Sequence, residues 1–214
     1  MPVRNSILLA ATLLLISCAT AARNTPVNQK EPRRVVGTDN DVRIDAEIFG
    51  DHLQSAISIP LKYDITNSRP ASIAIADIIP ETNYDPDTQT VTVNIGSEVP
   101  GEQLLPRLIR IAPGEKRSFS TVARVNILMP SETPVSRIPR AMRIKVNFLD
   151  DTTQFEKLIA IPERGVYDPK LADELFPKWL ERNQTLYTNA LPMRWTVQPE
   201  EQPAVPARRG RRRG

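Results

Sequence analysis

The chain has very few of the side chains that most often carry covalent or metal chemistry. Its 214 residues include one cysteine, Cys18, and one histidine, His52. One cysteine excludes a disulfide within the chain, and one histidine excludes a metal site built from several imidazoles. His52 follows Gly50 and Asp51, a context that predicts a turn residue and not a general base.

Glycine is also scarce, with 8 residues, about half of the usual share. No serine lies in a Gly-x-Ser-x-Gly turn, and no glycine-rich phosphate loop is present. Carboxylate pairs occur beside turn-forming residues, where aspartate accepts backbone hydrogen bonds, and this favours a structural role over calcium binding. The pairs are Asp39 with Asp41, Asp85 with Asp87, and Asp150 with Asp151. The sequence therefore predicts no enzyme, with no catalytic residues, no cofactor and no metal.

Proline, in contrast, is abundant, with 20 residues, nearly twice the usual share of about 5%. Because proline interrupts helices and central strands, the elements must be short. The formal net charge of +3 also has a local origin, since removing Arg4 and five C-terminal arginines leaves 22 basic against 25 acidic residues, a net charge of −3. The five arginines are Arg208, Arg209, Arg211, Arg212 and Arg213.

The N-terminus has the pattern of an export signal. Arg4 precedes an apolar run from Ile7 to Ile16, which is too short to span a bilayer, since spanning takes roughly 20 residues. The tetrad Leu15-Ile16-Ser17-Cys18 resembles the lipobox of bacterial lipoproteins, whose cysteine is acylated before cleavage. The resemblance implies a lipid anchor on Cys18, because two or more acyl chains give stable membrane attachment.

A second processing route stays open, because Ala19-Thr20-Ala21 suits the ordinary signal peptidase. That route would release a soluble secreted or periplasmic protein, and either route removes the free thiol, which excludes Cys-His catalysis. We prefer lipidation because it accounts for the only cysteine. In Gram-negative lipoproteins, Ala19 in place of aspartate after the cysteine implies the periplasmic side of the outer membrane.

Composition and periodicity divide the chain into five segments. The clearest sign of a strand is an alternation of apolar with polar residues, in which the apolar positions are Ile57, Ile59, Leu61, Tyr63 and Ile65. The alternating segment 142–148, followed by an Asp-Asp-Thr-Thr turn and the apolar segment 155–161, predicts a hairpin. The segments are a signal at 1–21, a flexible linker at 22–41, a β-sandwich at 42–162, a helical, aromatic-rich extension at 163–197 and a disordered arginine-rich tail at 198–214.

The fold class follows from seven or eight short strands with no helical period between them, which predict an all-β antiparallel sandwich or barrel. Residues 63–70, ending in Asn67-Ser68-Arg69-Pro70, resemble a strand and corner of bacterial immunoglobulin-like domains, and residues 111–119 are similar to their Pro-Gly-Glu turn. The resemblance implies a single immunoglobulin-like antiparallel β-sandwich. It extends loosely to the N-terminal domain of pilus chaperones, but too little sequence follows residue 165 for their second sandwich.

The C-terminal segment combines a helix signal with clustered aromatics. Asp168-Pro169 predicts an N-cap and a first helical residue, and Pro177 predicts that the helix stops or restarts. Two interpretations of the aromatic residues stay open. They dock the segment onto the sandwich, or they leave a partner-binding surface that includes Trp179 and Trp195.

Two functions are compatible with these features. The first is a membrane-tethered envelope lipoprotein that acts as a non-catalytic protein-interaction or assembly-support module. The second is binding of anionic envelope polymers or lipid headgroups by the arginine tail, which would weaken as salt rises. An export signal disfavours nucleic acid as the partner of that tail, and a solvated, non-binding tail is the third interpretation.

We expect the mature protein in membranes of the native host to begin at an acylated Cys18, because the acyl chains hold it there. The Cys18→Ala variant should lose its membrane association. Intact mass and partition between membrane and soluble fractions check both expectations. A wild-type chain that begins near Ala22 and is found in the soluble fraction would contradict lipidation.

Overall fold

A computed structural model describes residues 33–54, 56–101, 104–127, 134 and 137–195. The helices are α1 (Glu156–Ile159) and α2 (Pro169–Arg182), and a 3₁₀ turn at Thr153–Phe155 precedes α1. The strands, in chain order, are β1 (Arg33–Asp39), β2 (Val42–Ile48), β3 (His52–Leu53), β4 (Ala56–Asn67), β5 (Ile73–Ala76), β6 (Glu81–Asp85), β7 (Thr90–Ile95), β8 (Leu104–Pro106), β9 (Leu108–Ile111), β10 (Lys116–Asn126), β11 (Ala141–Leu149), β12 (Gly165–Tyr167), β13 (Asn183–Tyr187), β14 (Leu191–Pro192) and β15 (Arg194–Trp195).

One sheet has four antiparallel strands in the order β1-β2-β4-β10. Alternate side chains of β2 and β4 are buried, as the period of two predicts, and Ile44 and Ile65 lie opposite each other. Asn40 and Asp41 join β1 to β2 with φ angles of 47° and 58°, the backbone that a tight two-residue hairpin requires.

The second sheet is larger and is organised around β11. Its main order is β6-β7-β11-β5-β9, and β13 and β14 also pair with β11. The prediction of an all-β, sandwich-like fold with a short helix near the C-terminus is confirmed. Antiparallel pairing was the expectation, but β7 runs parallel to β11 from Thr90 opposite Ala141 to Ile95 opposite Val146.

Two hydrophobic cores hold these elements together. The larger core lies between the sheets and includes Ile44, Leu61 and Ile144. The smaller core lies under α2, where the rings of Phe155 and Trp179 meet edge to face with centroids 5.9 Å apart. The indole nitrogen of Trp179 also donates a hydrogen bond to a backbone carbonyl, so the only polar atom of that buried ring is satisfied.

The linker prediction is wrong for residues 33–41, because Arg33–Asp39 forms β1 and pairs along its whole length with β2. On the other side of β1, the amide of Val36 donates to Oδ1 of Asn189 at 2.7 Å, and the amide of Asn189 donates to the carbonyl of Val36 at 2.9 Å. Val35 is fully buried. Gly37 is buried too, but it has no side chain, so a single buried apolar side chain beside prolines and charges produces little periodic signal, and composition misses this strand.

The hairpin prediction is also wrong, because residues after Asp151 form a 3₁₀ turn and α1 instead of a returning strand. The carboxylate of Asp151 accepts a hydrogen bond from the amide of Thr153 at 2.9 Å and turns the chain. Phe155 and Leu158, three residues apart, then both enter the smaller core. A spacing of three serves a helical turn, whereas a strand would need a spacing of two.

Asp168 caps α2 as predicted, since its carboxylate accepts a hydrogen bond from the amide of Leu171 at 3.0 Å. Pro177 does not stop the helix, which continues to Arg182. Pro177 is exposed, so water can satisfy the carbonyl that loses its partner, while the buried Leu175 and Trp179 hold the flanking turns. The predicted extension is helical only in part, because β13, β14 and β15 return to the sheets.

A buried asparagine ties the two sequence motifs of the sandwich together. Asn67 is 0% exposed, and its amide nitrogen lies 2.9 Å from the carbonyl of Ala71, 3.1 Å from that of Ile111 and 3.2 Å from that of Ala112. The amide of Gly114 donates to the carbonyl of Asn67 at 2.7 Å. The corner that follows β4 is therefore bonded to the turn that precedes β10.

We expect Asn67→Ala to reduce the free energy of unfolding by about 3 kcal/mol, because several buried carbonyls lose their donor. Asn126→Ala, at an exposed position of β10, is the matched control and should change it by less than about 0.5 kcal/mol. Urea unfolding of the mature chain with Cys18→Ser measures both values. Equal losses in the two variants would show that the Asn67 bonds do not stabilise the fold.

Candidate functional site

The residues predicted to bind a partner differ in where the structure places them, and some lie outside the described residues. Trp179 is only 1% exposed and belongs to the smaller core. Trp195 is half-buried, pairs through β15 with β3 and packs against the larger core. Trp179 therefore docks the segment onto the body and offers no surface to a partner, whereas partner contact by the half-buried Trp195 stays a prediction. Cys18 and the arginines at 208, 209, 211, 212 and 213 lie outside the described residues.

His52 lies in β3 and not in a turn, which corrects its predicted position. Its Nε2 is 3.1 Å from the carboxylate of Asp51, which is nearly buried. Nε of Arg194 lies 3.7 Å from the other oxygen of the same carboxylate. The Asp51 carboxylate thus lies between the side chains of His52 in β3 and Arg194 in β15, which is a structural role.

The turn aspartates also have structural partners. Asp85 accepts hydrogen bonds from the hydroxyl of Thr88 at 2.7 Å and from the amide of Asp87 at 3.0 Å. The hydrogen bond from the Thr88 hydroxyl lowers the pKa of the Asp85 carboxyl most, and the bond from the Asp87 amide lowers it further. The carboxylate therefore stays charged and holds the turn. Within the described ranges, no group of three or more His, Cys, Asp or Glu side chains is placed to hold a metal ion.

Most of the exposed large apolar side chains described lie on segments that contribute to, or adjoin, the smaller core. Of ten such residues described, seven lie on segments around the smaller core, and we call these seven the apolar end. They are Ile78, Ile79, Val99, Leu104, Tyr167, Phe176 and Leu180. Sequence patterns miss this surface, because an apolar residue in a strand or helix is expected to point inward.

The apolar end is built on paired elements. Leu104 and Tyr167 are direct partners across β8 and β12, and they are 59% and 68% exposed. Phe176 and Leu180 lie one turn apart on α2. Charged side chains accompany them on α2, where Glu174 contacts Lys178 at 3.2 Å. Large apolar side chains beside charged ones are typical of protein interaction surfaces.

The outer face of the larger sheet contains a second candidate site, an open cavity of about 690 Å³ lined mainly by polar residues, which we call the polar trough. Strand register assembles it from distant parts of the sequence. One row across β6, β7, β11 and β13 is Glu81, Asn94, Lys145 and Tyr187, and the next row is Asn83, Thr92 and Arg143.

Side chains in the polar trough hold one another in position. Nε of Arg143 donates to the hydroxyl of Thr92 at 3.1 Å, and its guanidinium carbon lies 4.6 Å from the centre of the Tyr187 ring. Lys145 forms an ion pair with Glu98. The cations are thus already partnered within the site.

A further open cavity, of about 670 Å³, lies on the four-stranded sheet. Its charges balance, since three cations and three carboxylates line it, and among them Arg34 pairs with Glu47 at 2.8 Å and Lys116 with Asp64 at 2.6 Å. The hydrogen bond from Lys116 lowers the pKa of the Asp64 carboxyl most, and the bond from Ser118 also lowers it. This face has the composition of a solvated surface.

No described helix is long and apolar enough to cross a membrane.

We expect Gly96→Ala to destabilise the protein more than Gly114→Ala. Both glycines have φ near +70°, so alanine is strained at either position by about 1 kcal/mol. Only at Gly96, which lines the polar trough, would the new Cβ meet backbone, 2.4 Å from the carbonyl oxygen of Asn147, whereas Gly114 has open space. Urea unfolding should show an additional loss of at least about 2 kcal/mol for Gly96→Ala. Equal losses of unfolding free energy in the two variants would mean that the backbone around Gly96 moves away from the new Cβ at little cost.

Sequence and structure comparisons give no assignment for these surfaces. The chain matches no protein-family model, no curated protein and no solved structure. The proposals that follow rest on the residues of this chain alone.

Proposed function

We propose that the protein is a lipid-tethered cell-envelope protein that binds a protein partner and performs no catalysis. The observation that carries this proposal is the concentration of seven exposed large apolar side chains at the apolar end. Monomeric domains rarely expose such clusters unless they bind something. The partner that fits is an envelope protein with a complementary apolar surface.

The rigidity of the apolar end supports this role. Tyr167 directly precedes the capped start of α2, and the buried Trp179 fixes the same helix to the smaller core. Aromatic and large aliphatic side chains on a rigid element lose little conformational entropy on binding. Phe176 and Tyr167 are therefore the residues that we expect to contribute most of the binding free energy.

The N-terminal signal supports the location. If Cys18 is acylated, 14 residues separate the anchor from Arg33, where β1 begins. Such a segment reaches at most about 50 Å, so the domain would work close to the membrane surface. A partner in the same membrane or in the adjacent envelope is within that range.

A second candidate is favoured by one feature, the five arginines among the last seven residues. They would add affinity for anionic polymers or headgroups, at roughly 1 kcal/mol per arginine near an anionic surface. Deleting residues 207–214 distinguishes the two proposals, because a protein partner of the apolar end is retained by the truncated chain.

A photo-crosslinking side chain at Tyr167, introduced in the native host, should give one discrete protein adduct. The same side chain at Val122, which is 45% exposed on β10 and lies outside the apolar end, is the matched control and should not give it. Leu104→Asp should abolish the Tyr167 adduct, since a charge opposite Tyr167 would have to be desolvated. Adducts of equal yield at Tyr167 and Val122, or an adduct that survives Leu104→Asp in a folded protein, would contradict the proposal.

A further inference from the structure

We propose that the polar trough binds a neutral glycan whose sugar rings carry hydroxyl and acetamido groups. The trough borders the apolar end, since Ile78 and Val99 line its rim, but glycan binding by its polar side chains does not depend on the protein partner proposed above. Its lining combines residues of β6, β7, β11 and β13 with the loop that follows β7.

The position of the trough determines which atoms can contact a ligand. It lies over β7 and β11, whose backbone groups are engaged in pairing with neighbouring strands on both sides. An extended peptide that binds by adding a strand needs free backbone groups at a sheet edge. A ligand in the trough meets side chains instead, so recognition depends on their chemistry.

The side chains match hydroxyl and amide groups. Asn83 and Asn94 lie on adjacent strands and line the cavity, whereas Asn147, which is 3% exposed, has its carboxamide oxygen bonded to the Thr185 hydroxyl. Each carboxamide offers two donors and one acceptor oxygen in a plane, and sugar hydroxyls and acetamido groups also both donate and accept. A cavity of about 690 Å³ is in the range of sites that hold small ligands, and its polar lining does not suit an apolar one.

The charge of the trough disfavours polyanions. Three carboxylates, those of Glu81, Asp85 and Glu98, line it beside only two cations, Arg143 and Lys145. Lys145 is already paired with Glu98. A nucleic acid or an acidic polymer would meet net negative charge, whereas an uncharged sugar would not.

The ring of Tyr187 completes the site. It is 44% exposed, ends the row that contains Asn94, and is held on one side by the Arg143 guanidinium. An aromatic ring beside carboxamides offers an apolar surface for the C–H groups of a sugar ring while the carboxamides bond its hydroxyls. The contact with Arg143, which also bonds Thr92, places that ring before the ligand arrives.

The test is a titration of the mature chain, with Cys18→Ser, using the β-1,4-linked trimer of N-acetylglucosamine. We expect saturable amide shift changes in nuclear magnetic resonance spectra, confined to residues of the trough, with a Kd below 10 mM. Asn83→Ala and Asn94→Ala should each weaken binding about tenfold, the effect of one to two lost hydrogen bonds. The matched control, Asn126→Ala on β10, should leave the Kd unchanged.

Urea unfolding of each variant confirms that it is folded. No saturable shift at 10 mM trimer, or equal Kd values in all variants, would overturn the proposal. Trough shifts caused only by an extended peptide or by a heparin oligosaccharide would overturn it as well, and would assign the site to a different class of ligand. Crosslinking at Tyr167 should be unaffected by Asn83→Ala, so failure of the glycan site is distinguishable from failure of the protein-binding proposal.

Discussion

The carboxamide of Asn67 is the constraint on which the sandwich depends. The chain crosses between the two sheets after β4 and again before β10, and the Asn67 side chain bonds the backbone on both sides of that crossing. A fully buried carboxamide is stable only if its hydrogen bonds are made. Its partners can be reached in one arrangement of the two crossings, so this residue fixes how the sheets sit against each other.

Once the sheets are fixed, β11 determines where the binding surfaces lie. Its inward side chains, such as Ile144 and Val146, fill the larger core, while Arg143 and Lys145 alternate with them and face the trough. The period of two thus makes one strand serve both the core and a polar surface. The apolar end has a different origin, because α2 buries Trp179 on one side and leaves Phe176 and Leu180 on the other.

Sequence reasoning predicts those elements whose signal is local. The alternation around Tyr63 links residues two positions apart, and the cap at Asp168 is bonded to a residue three positions away. Both predictions agree with the structure. No contiguous motif marks the polar trough, because Asn83 and Arg143 are brought together only by strand register. Burial of Trp179 is one of the two outcomes that the sequence allows, because a large aromatic side chain on a helix can pack into a core or contact a partner. The polar positions between the buried residues of β7 and β11 are the one signal that could have indicated the trough.

The contact between the two ends of the described chain also determines how the domain is suspended. An η nitrogen of Arg33 donates to the carbonyl of Pro192 at 2.5 Å, and β1 is bonded to Asn189. The chain therefore enters and leaves the domain at one pole. A pull on the N-terminal end of β1 would be shared between β2 and the segment around Asn189 instead of peeling β1 away from one neighbour. Pairing on both sides of β1 thus opposes mechanical unfolding from that end.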